Sequence, residues 1–171
     1  MRRFIMQAKP YGLFSNMAAF GWFMSESTGR LLPEEIWTLN RAPFNYLSDK
    51  FPQTRRFVDK FQRQFKGYPV GFAICSYDSL IAWRQAVLEA NSAAPAVVAK
   101  ALKGMSFKGL RGDSYIRPID GQMNCPTFFG RLVYKPEYPC AVIESVIEIP
   151  AAKTWLSENE VLERRRKAQG F

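Results

Sequence analysis

Apolar residues recur with the period of an α-helix in three segments of the chain, residues 52–66, 79–90 and 95–104. In the first segment they follow one another at steps of one, three and four, with charged or polar residues between them, which is typical of an amphipathic helix. The first and third segments begin with proline, which suits the first turn of a helix. The residues expected to be buried on these helices are Phe57, Phe61, Leu80 and Val87.

Short apolar runs rich in branched and aromatic residues predict strands at residues 16–24, 35–40, 127–134 and 141–149. Residues 2–9 and the tail from Ser157 have helical patterns, and residues 25–33 are polar enough to be a loop. Glycines interrupt residues 107–116, which favours short strands and turns. Strands and helices alternate early, which predicts an α/β fold with helices on both faces of a mostly parallel sheet.

Residues 68–80, YPVGFAICSYDSL, fit neither pattern. They are too apolar for a linker and show no clear helical period, so we expect an extended segment between two helices. Tyr77 and Asp78 would then open the second helix, where a carboxylate is stabilised by the positive end of the helix dipole. The simpler alternatives are that Tyr77 is a core aromatic residue and that Asp78 only marks a helix start.

The chain has 24 basic and 15 acidic residues, a net charge of +9. A basic protein suggests nucleic-acid binding, but only residues 55–56 and 164–167 form basic clusters, and no nucleic-acid partner is expected. The apolar runs are much shorter than the roughly 20 residues of a membrane helix. Met1, Arg2 and Arg3 resemble the start of a leader, but no apolar region follows, so we expect no signal peptide in this chain.

The absence of histidine removes the usual general base and the usual metal ligand. No metal or cofactor is expected, and an enzyme that uses Cys75 or Cys125 as nucleophile is the weakest interpretation. The three cysteines also lack the close paired spacing of a zinc site. Cys125 and Cys140 could form a disulfide in an oxidising compartment, or all three could remain thiols.

Five segments follow one another in a recognisable order: FIMQAKPYGL, TRRFVDKFQRQFKGYP, SYDSLIAWRQAVLEANSA, VVAKALKGMSFKGLRG and YIRPIDGQMNCPTFFGRLV. GYP before the YD pair and RPIDGQ before the last strands are the most specific parts. Over residues 4–149 this order resembles the C-terminal half of ABC-transporter solute-binding proteins of the branched-chain amino-acid type. The resemblance implies the type I periplasmic-binding-protein fold, in which hinge crossings join two α/β lobes and of which this chain is a C-terminal fragment. It also implies a periplasmic location for the full-length parent.

The resemblance further implies how the chain is divided between the lobes. Residues 1–70 would belong to the C-terminal lobe, residues 71–124 to the other lobe, and residues 125–171 to the C-terminal lobe and a tail. The segment YPVGFAICSYDS would be a hinge crossing beside the ligand. The implied ligand-binding residues are Gly21, Trp22, Phe72 and Tyr77. The alternative for Trp22 and Phe23 is that they are ordinary core residues.

The implied function is capture of a small ligand, an amino acid or an aromatic or apolar organic acid, for an ABC importer. The lobes would close on the ligand, and the membrane permease subunits would recognise the closed form. Relatives that hold an amino acid commonly place an acidic side chain where this chain has Gly21, Trp22 and Phe23. We therefore expect an aromatic or apolar carboxylate as ligand. The alternative is a ligand-sensing domain of the same fold in a transcription regulator or receptor.

Overall fold

A computed structural model of the chain describes residues 2–22 and 36–170. Its helices are α1 (Arg2–Ala8), α2 (Leu13–Asn16), α3 (Phe44–Lys50), α4 (Pro52–Phe65), α5 (Gly71–Ala90), α6 (Pro95–Leu102) and α7 (Glu158–Gln169). Its strands are β1 (Phe20–Gly21), β2 (Trp37–Asn40), β3 (Ser106–Gly109), β4 (Gly112–Tyr115), β5 (Thr127–Val133) and β6 (Val142–Ile149). Short 3₁₀ helices occupy Lys9–Tyr11 and Ala151–Lys153.

Most of the predicted elements are confirmed, with shifts of their ends. The helices predicted at residues 2–9, 52–66 and 95–104 are α1, α4 and α6, and the charged tail is α7. The strands predicted at 35–40, 127–134 and 141–149 are β2, β5 and β6. Of the strand predicted at 16–24, only Phe20–Gly21 is a strand among the described residues. The loop predicted at 25–33 lies outside the described residues, as does Phe23.

The main sheet has the strand order β1-β2-β5-β6. Among the described strands of this sheet, only β1 and β2 pair in parallel, whereas β5 is antiparallel to both of its neighbours. The prediction of a mostly parallel sheet is therefore wrong for this part of the fold. For β5 and β6 the reason is their short connection, residues 134–141, which leaves no room for the crossover helix that a parallel pair requires. Strands β3 and β4 form a separate antiparallel hairpin.

Helix α5 begins at Gly71 rather than at residue 79. The prediction of an extended crossing up to Asp78 is therefore wrong. The prediction that Asp78 opens a helix is also wrong, because the first two turns of α5 lie before Asp78. The buried positions of α5 recur every four residues, and the first of them lies inside the unclassified segment: Ile74, Asp78, Ala82 and Ala86. Apolar residues on the exposed side hid this period in the sequence.

The described residues form two hydrophobic clusters. The first contains Phe44, Leu47, Phe128 and Leu132 and joins helices α3 and α4 to the main sheet. The second contains Val98, Met105, Phe107 and Ile116 and lies between α6 and the β3–β4 hairpin. Helix α5 belongs to both, because Ile74 is part of the first cluster and Ala82 and Ala86 are part of the second.

The predicted buried stripe is only partly present. Phe57, Phe61 and Val87 are half-buried, but Leu80 is 65% exposed, so the prediction for Leu80 is wrong. Helix α5 turns its small residues inward, and Leu80, Trp83 and Leu88 face outward. Ala82 and Ala86 belong to one buried cluster with Met105 and Phe107, so a leucine at either alanine position would overpack it.

None of the described helices has both the length and the apolar character needed to cross a membrane.

Candidate ligand-binding cavity

A cavity of about 440 Å³ opens beside the first half of α5. Its lining comes from α5, from the residues that follow β1 and β2, from the β3–β4 turn, from the segment before β5 and from the segment after β6. The lining residues are Trp22, Arg41, Phe72, Cys75, Ser79, Arg111, Gln122, Met123, Cys125, Ala151, Thr154 and Trp155. Helix α5 supplies Phe72, Cys75 and Ser79, which share one flank because they are spaced three and four residues apart.

Arg111 is held in the cavity wall by Asp78. Its Nε donates a hydrogen bond to Asp78 Oδ2 at 2.8 Å, and its Nη2 donates to Met123 Sδ at 3.7 Å. The other oxygen of Asp78, Oδ1, accepts from the Leu110 backbone N–H at 2.6 Å. The side chains of Arg111 and Asp78 are 5% and 0% exposed. One buried carboxylate thus fixes both the backbone and the side chain of the β3–β4 turn.

Gly109 makes this arrangement possible. A Cβ atom at this position would lie 2.7 Å from Asp78 Oδ1, which is closer than a real Cβ contact. Glycine therefore lets the hairpin backbone approach the carboxylate closely enough for the Leu110 N–H to reach it.

Arg41 supplies a second guanidinium group. It follows β2, and its Nη1 donates a hydrogen bond to Thr127 Oγ1 at 2.7 Å. Asp78 neutralises Arg111, whereas Arg41 makes no ion pair within residues 2–22 and 36–170. No carboxylate is among the described lining residues. The cavity is thus suited to an anion, and the planar fork of a guanidinium matches a carboxylate.

Three aromatic side chains line the same cavity. The side chains of Trp22 and Phe72 are 59% and 56% exposed, so much of their surface is available for contact. Trp155 is half-buried, and the guanidinium carbon of Arg117 lies 5.0 Å from the centre of its ring. Aromatic walls of this kind bury much of the surface of a planar or apolar ligand.

Two thiols complete the lining. Burial raises the pKa of the Cys75 thiol above its ordinary value, although the positive charge of Arg111 opposes this shift. Burial raises the pKa of the Cys125 thiol in the same way. Both are therefore neutral at pH 7. Because Cys125 is a free thiol in this cavity, the structure does not contain the Cys125–Cys140 disulfide that the sequence left open.

We expect the alkylation of Cys75 to need alkaline pH. In a Cys125→Ser variant, the rate of iodoacetamide addition to Cys75 should reach half of its maximum at a higher pH than the rate for a short unstructured cysteine peptide with blocked ends. The reason is that only the thiolate reacts and burial disfavours the thiolate. Mass spectrometry of the labelled peptide measures the rate. A half-maximal rate at or below neutral pH would instead show that Arg111 stabilises the thiolate.

The four ligand-binding residues proposed from the sequence lie in different places. Trp22 and Phe72 line the cavity together. Gly21 is the last residue of β1, immediately before Trp22, and pairs with Thr38, but it is not among the lining residues. Tyr77 lies on the opposite flank of α5, with its ring 4.9 Å from that of Phe57, and it does not line this cavity.

Sequence reasoning missed Arg41, Arg111 and Trp155. For Arg111 alone the sequence contained an indirect indication. Asp78 is an acid within an apolar helix, and a buried acid needs a basic partner. That partner is 33 residues away in the chain, so the local pattern could not identify it.

A family model described as "Periplasmic binding protein" matches residues 1–136. Comparison with curated proteins finds no match.

Solved structures of similar fold include an ABC-type branched-chain amino acid transporter from Rhodopseudomonas palustris, with 22% identity and a TM-score of 0.66 over 86% of this chain and 39% of that one. An amino acid ABC transporter substrate-binding protein from Pseudomonas fluorescens has 19% identity and a TM-score of 0.71 over 86% and 41%. A solute-binding protein of an ABC transporter from R. palustris, solved with 3,4-dihydroxybenzoic acid, has 17% identity and a TM-score of 0.68 over 86% and 42%. The chain thus spans about two fifths of their length.

Proposed function

Since the chain belongs to the periplasmic binding protein family, we propose that it forms part of the solute-binding component of an ABC importer and binds a small aromatic or apolar carboxylate. In this role it acts as a binding protein rather than an enzyme. The partners of the whole protein are then the small ligand and the ABC permease subunits, and its location is the periplasm.

One observation carries the choice of ligand. The cavity combines the guanidinium groups of Arg41 and Arg111 with aromatic side chains, and no carboxylate is among its described lining residues. A ligand carboxylate can pair with Arg41 while its apolar body lies against Trp22 and Phe72. A free amino acid would bring an ammonium group close to the Arg41 guanidinium without a counter-charge from these residues, which is unfavourable in a partly dry cavity. The complex of a solved structure of similar fold with 3,4-dihydroxybenzoic acid is consistent with such a ligand.

We also propose that residues 71–124 belong to a second lobe and that residues 1–70 and 125–171 belong to the C-terminal lobe. The two hydrophobic clusters support this division, since all the buried residues of the second cluster lie between positions 82 and 116. Ile74 and Leu110 are exceptions, because both belong to the first cluster. In this proposal the junction between the lobes lies beside these two residues, close to the Asp78–Arg111 ion pair.

We expect benzoate to bind more tightly than leucine and more tightly than benzamide, which has the same ring without the charge. Arg41→Ala should weaken benzoate binding by about tenfold or more, as expected for the loss of a charge-assisted hydrogen bond. Trp22→Ala should weaken it through the loss of apolar contact. Isothermal titration calorimetry with the 171-residue chain measures each affinity.

The matched control is Arg131→Ala, because Arg131 is paired with Glu144 on the main sheet and does not line the cavity. This variant should bind benzoate like the unchanged chain. Tight leucine binding that Trp22→Ala leaves unaltered would contradict the proposal. Equal affinity for benzoate and benzamide would show that Arg41 does not recognise a carboxylate.

A further inference from the structure

A second concave surface lies on the other flank of α5. It is a groove of about 480 Å³ between α4, α5 and the β3–β4 hairpin, and it shares no lining residue with the cavity described above. The residues that line it are Gln53, Arg56, Phe57, Lys60, Phe61, Gln64, Phe65, Tyr77, Ile81, Lys108, Gly109 and Leu110. We refer to it as the α4–α5 groove.

Aromatic rings form the floor of the α4–α5 groove. Phe57, Phe61 and Phe65 follow one another at four-residue steps along α4, with ring centres 6.0 and 4.6 Å apart. The ring of Tyr77 reaches the row from α5 and lies 4.9 Å from Phe57. Phe65 and Tyr77 are 61% and 40% exposed. A row of aromatic rings that is exposed at Phe65 and Tyr77 and half-buried at Phe57 and Phe61 is unfavourable in water unless another group covers it.

Both walls of the groove are basic. Arg56 and Lys60 stand beside the aromatic row on α4, and Lys108 stands on β3 at the other wall. None of the three makes an ion pair within the part of the chain that the structure describes. No acidic residue is among the described residues of the lining. The groove therefore complements a group that is apolar in the middle and acidic along both edges.

Hydrogen bonds between the walls hold the groove open. Gln53 Nε2 donates to the Gly109 carbonyl at 3.2 Å, and Thr54 Oγ1 donates to the Leu110 carbonyl. Thr54 is fully buried, and Leu110 is also bonded to Asp78. These bonds join α4 to the hairpin and to α5, so an incoming group meets a preformed surface and little ordering is needed on binding.

We propose that the α4–α5 groove binds an amphipathic helix of a protein partner, with an apolar face flanked on both sides by glutamate or aspartate. The lining runs along α4 from Gln53 to Phe65, about 18 Å at 1.5 Å per residue, which accommodates about three turns of a partner helix. The distribution of charge favours a helix over a single-chain lipid. A fatty acid carries one charge at one end, whereas the groove offers cations on both walls.

The test uses two fluorescein-labelled helical peptides with the same apolar leucine and phenylalanine face, one flanked by glutamates and the other by lysines. Fluorescence anisotropy with the 171-residue chain at physiological salt should show binding of the glutamate peptide only. Lys60→Glu should weaken this binding by about tenfold, because it places a like charge against the peptide. Phe65→Ala should weaken it by a similar factor, and the exposure of Phe65 makes this variant safe for folding.

Lys66→Glu is the matched control. Lys66 directly follows the last residue of α4 and does not line the groove. Its replacement involves the same change of charge, so this variant should bind the glutamate peptide within about twofold of the unchanged chain. Circular dichroism checks that each variant is folded. Equal binding of the two peptides, or an equal loss in Lys66→Glu, would overturn the proposal. So would binding of oleate that depends on Lys60 in the absence of peptide binding, since it would assign the groove to a lipid.

Discussion

Replacing Asp78 by alanine should destabilise the protein by about 3–5 kcal/mol, because it leaves the Arg111 guanidinium buried without its counter-charge. The same change removes the acceptor of the Leu110 backbone N–H, which is also buried. A buried donor that loses its partner retains the full penalty of having been removed from water. The free energy of unfolding, measured by urea titration and followed by circular dichroism, gives the loss directly.

Asp49→Ala is the control for this result. Asp49 also pairs with an arginine, Arg55 at 3.0 Å, but both side chains are largely exposed. Exposed ion pairs contribute little, so this variant should lose less than about 1 kcal/mol. Similar losses in the two variants would mean that water reaches Asp78 and that the ion pair does not hold the β3–β4 turn.

Replacing Phe128 by alanine should have a comparable effect, a loss of about 3–5 kcal/mol. Phe128 is 1% exposed and lies in the first cluster, where its ring centre is 5.6 Å from that of Tyr46. Its truncation removes buried apolar surface and leaves a cavity that a central strand has little freedom to close. The same urea titration measures the change.

Phe20→Ala is the matched control for Phe128→Ala, because both residues belong to the main sheet and the chemical change is identical. Phe20 is 66% exposed on the short strand β1, so its loss should cost less than about 1 kcal/mol. A loss of that small size in Phe128→Ala would show that the first cluster is not the folding core of the main sheet.

The elements predicted most accurately from the sequence are those with one buried face and one exposed face. Helix α4 was found because Phe57 and Phe61 alternate with charged residues, and β5 and β6 were found from their branched and aromatic residues. The local pattern of residues does not show whether two neighbouring strands run parallel or antiparallel. Pairing depends on which distant segment lies alongside, and β5 takes β2 as a neighbour from far earlier in the chain.

The distribution of exposed and buried residues on α5 explains why its first two turns were not predicted. Phe72 and Leu80 are large and exposed, whereas Asp78 and Ala82 are polar or small and buried. An analysis that expects large apolar residues to be buried therefore assigns the wrong face of this helix to the protein interior. Only tertiary contacts, with Met105 and Phe107 opposite the alanines, determine which face points inward.

The candidate site was predictable only in part, and for the same reason. Trp22 and Phe72 were proposed by resemblance, and both line the cavity. Arg41 and Arg111 look like ordinary surface residues in the sequence, because arginine is usually exposed. Their place in the cavity depends on Thr127 and Asp78, which lie far from them in the chain.

The alanine face of α5 sets the limits of what this helix can accept by substitution. Ala82 and Ala86 are almost completely buried, so a larger side chain at either position would overpack the second cluster. Leu80 and Leu88 are more than half exposed, and polar residues could replace them without loss of packing inside the chain. A redesign guided by hydropathy alone would protect the tolerant positions and alter the intolerant ones. In this helix, smallness rather than apolarity is the property that an engineered or diverged variant must keep.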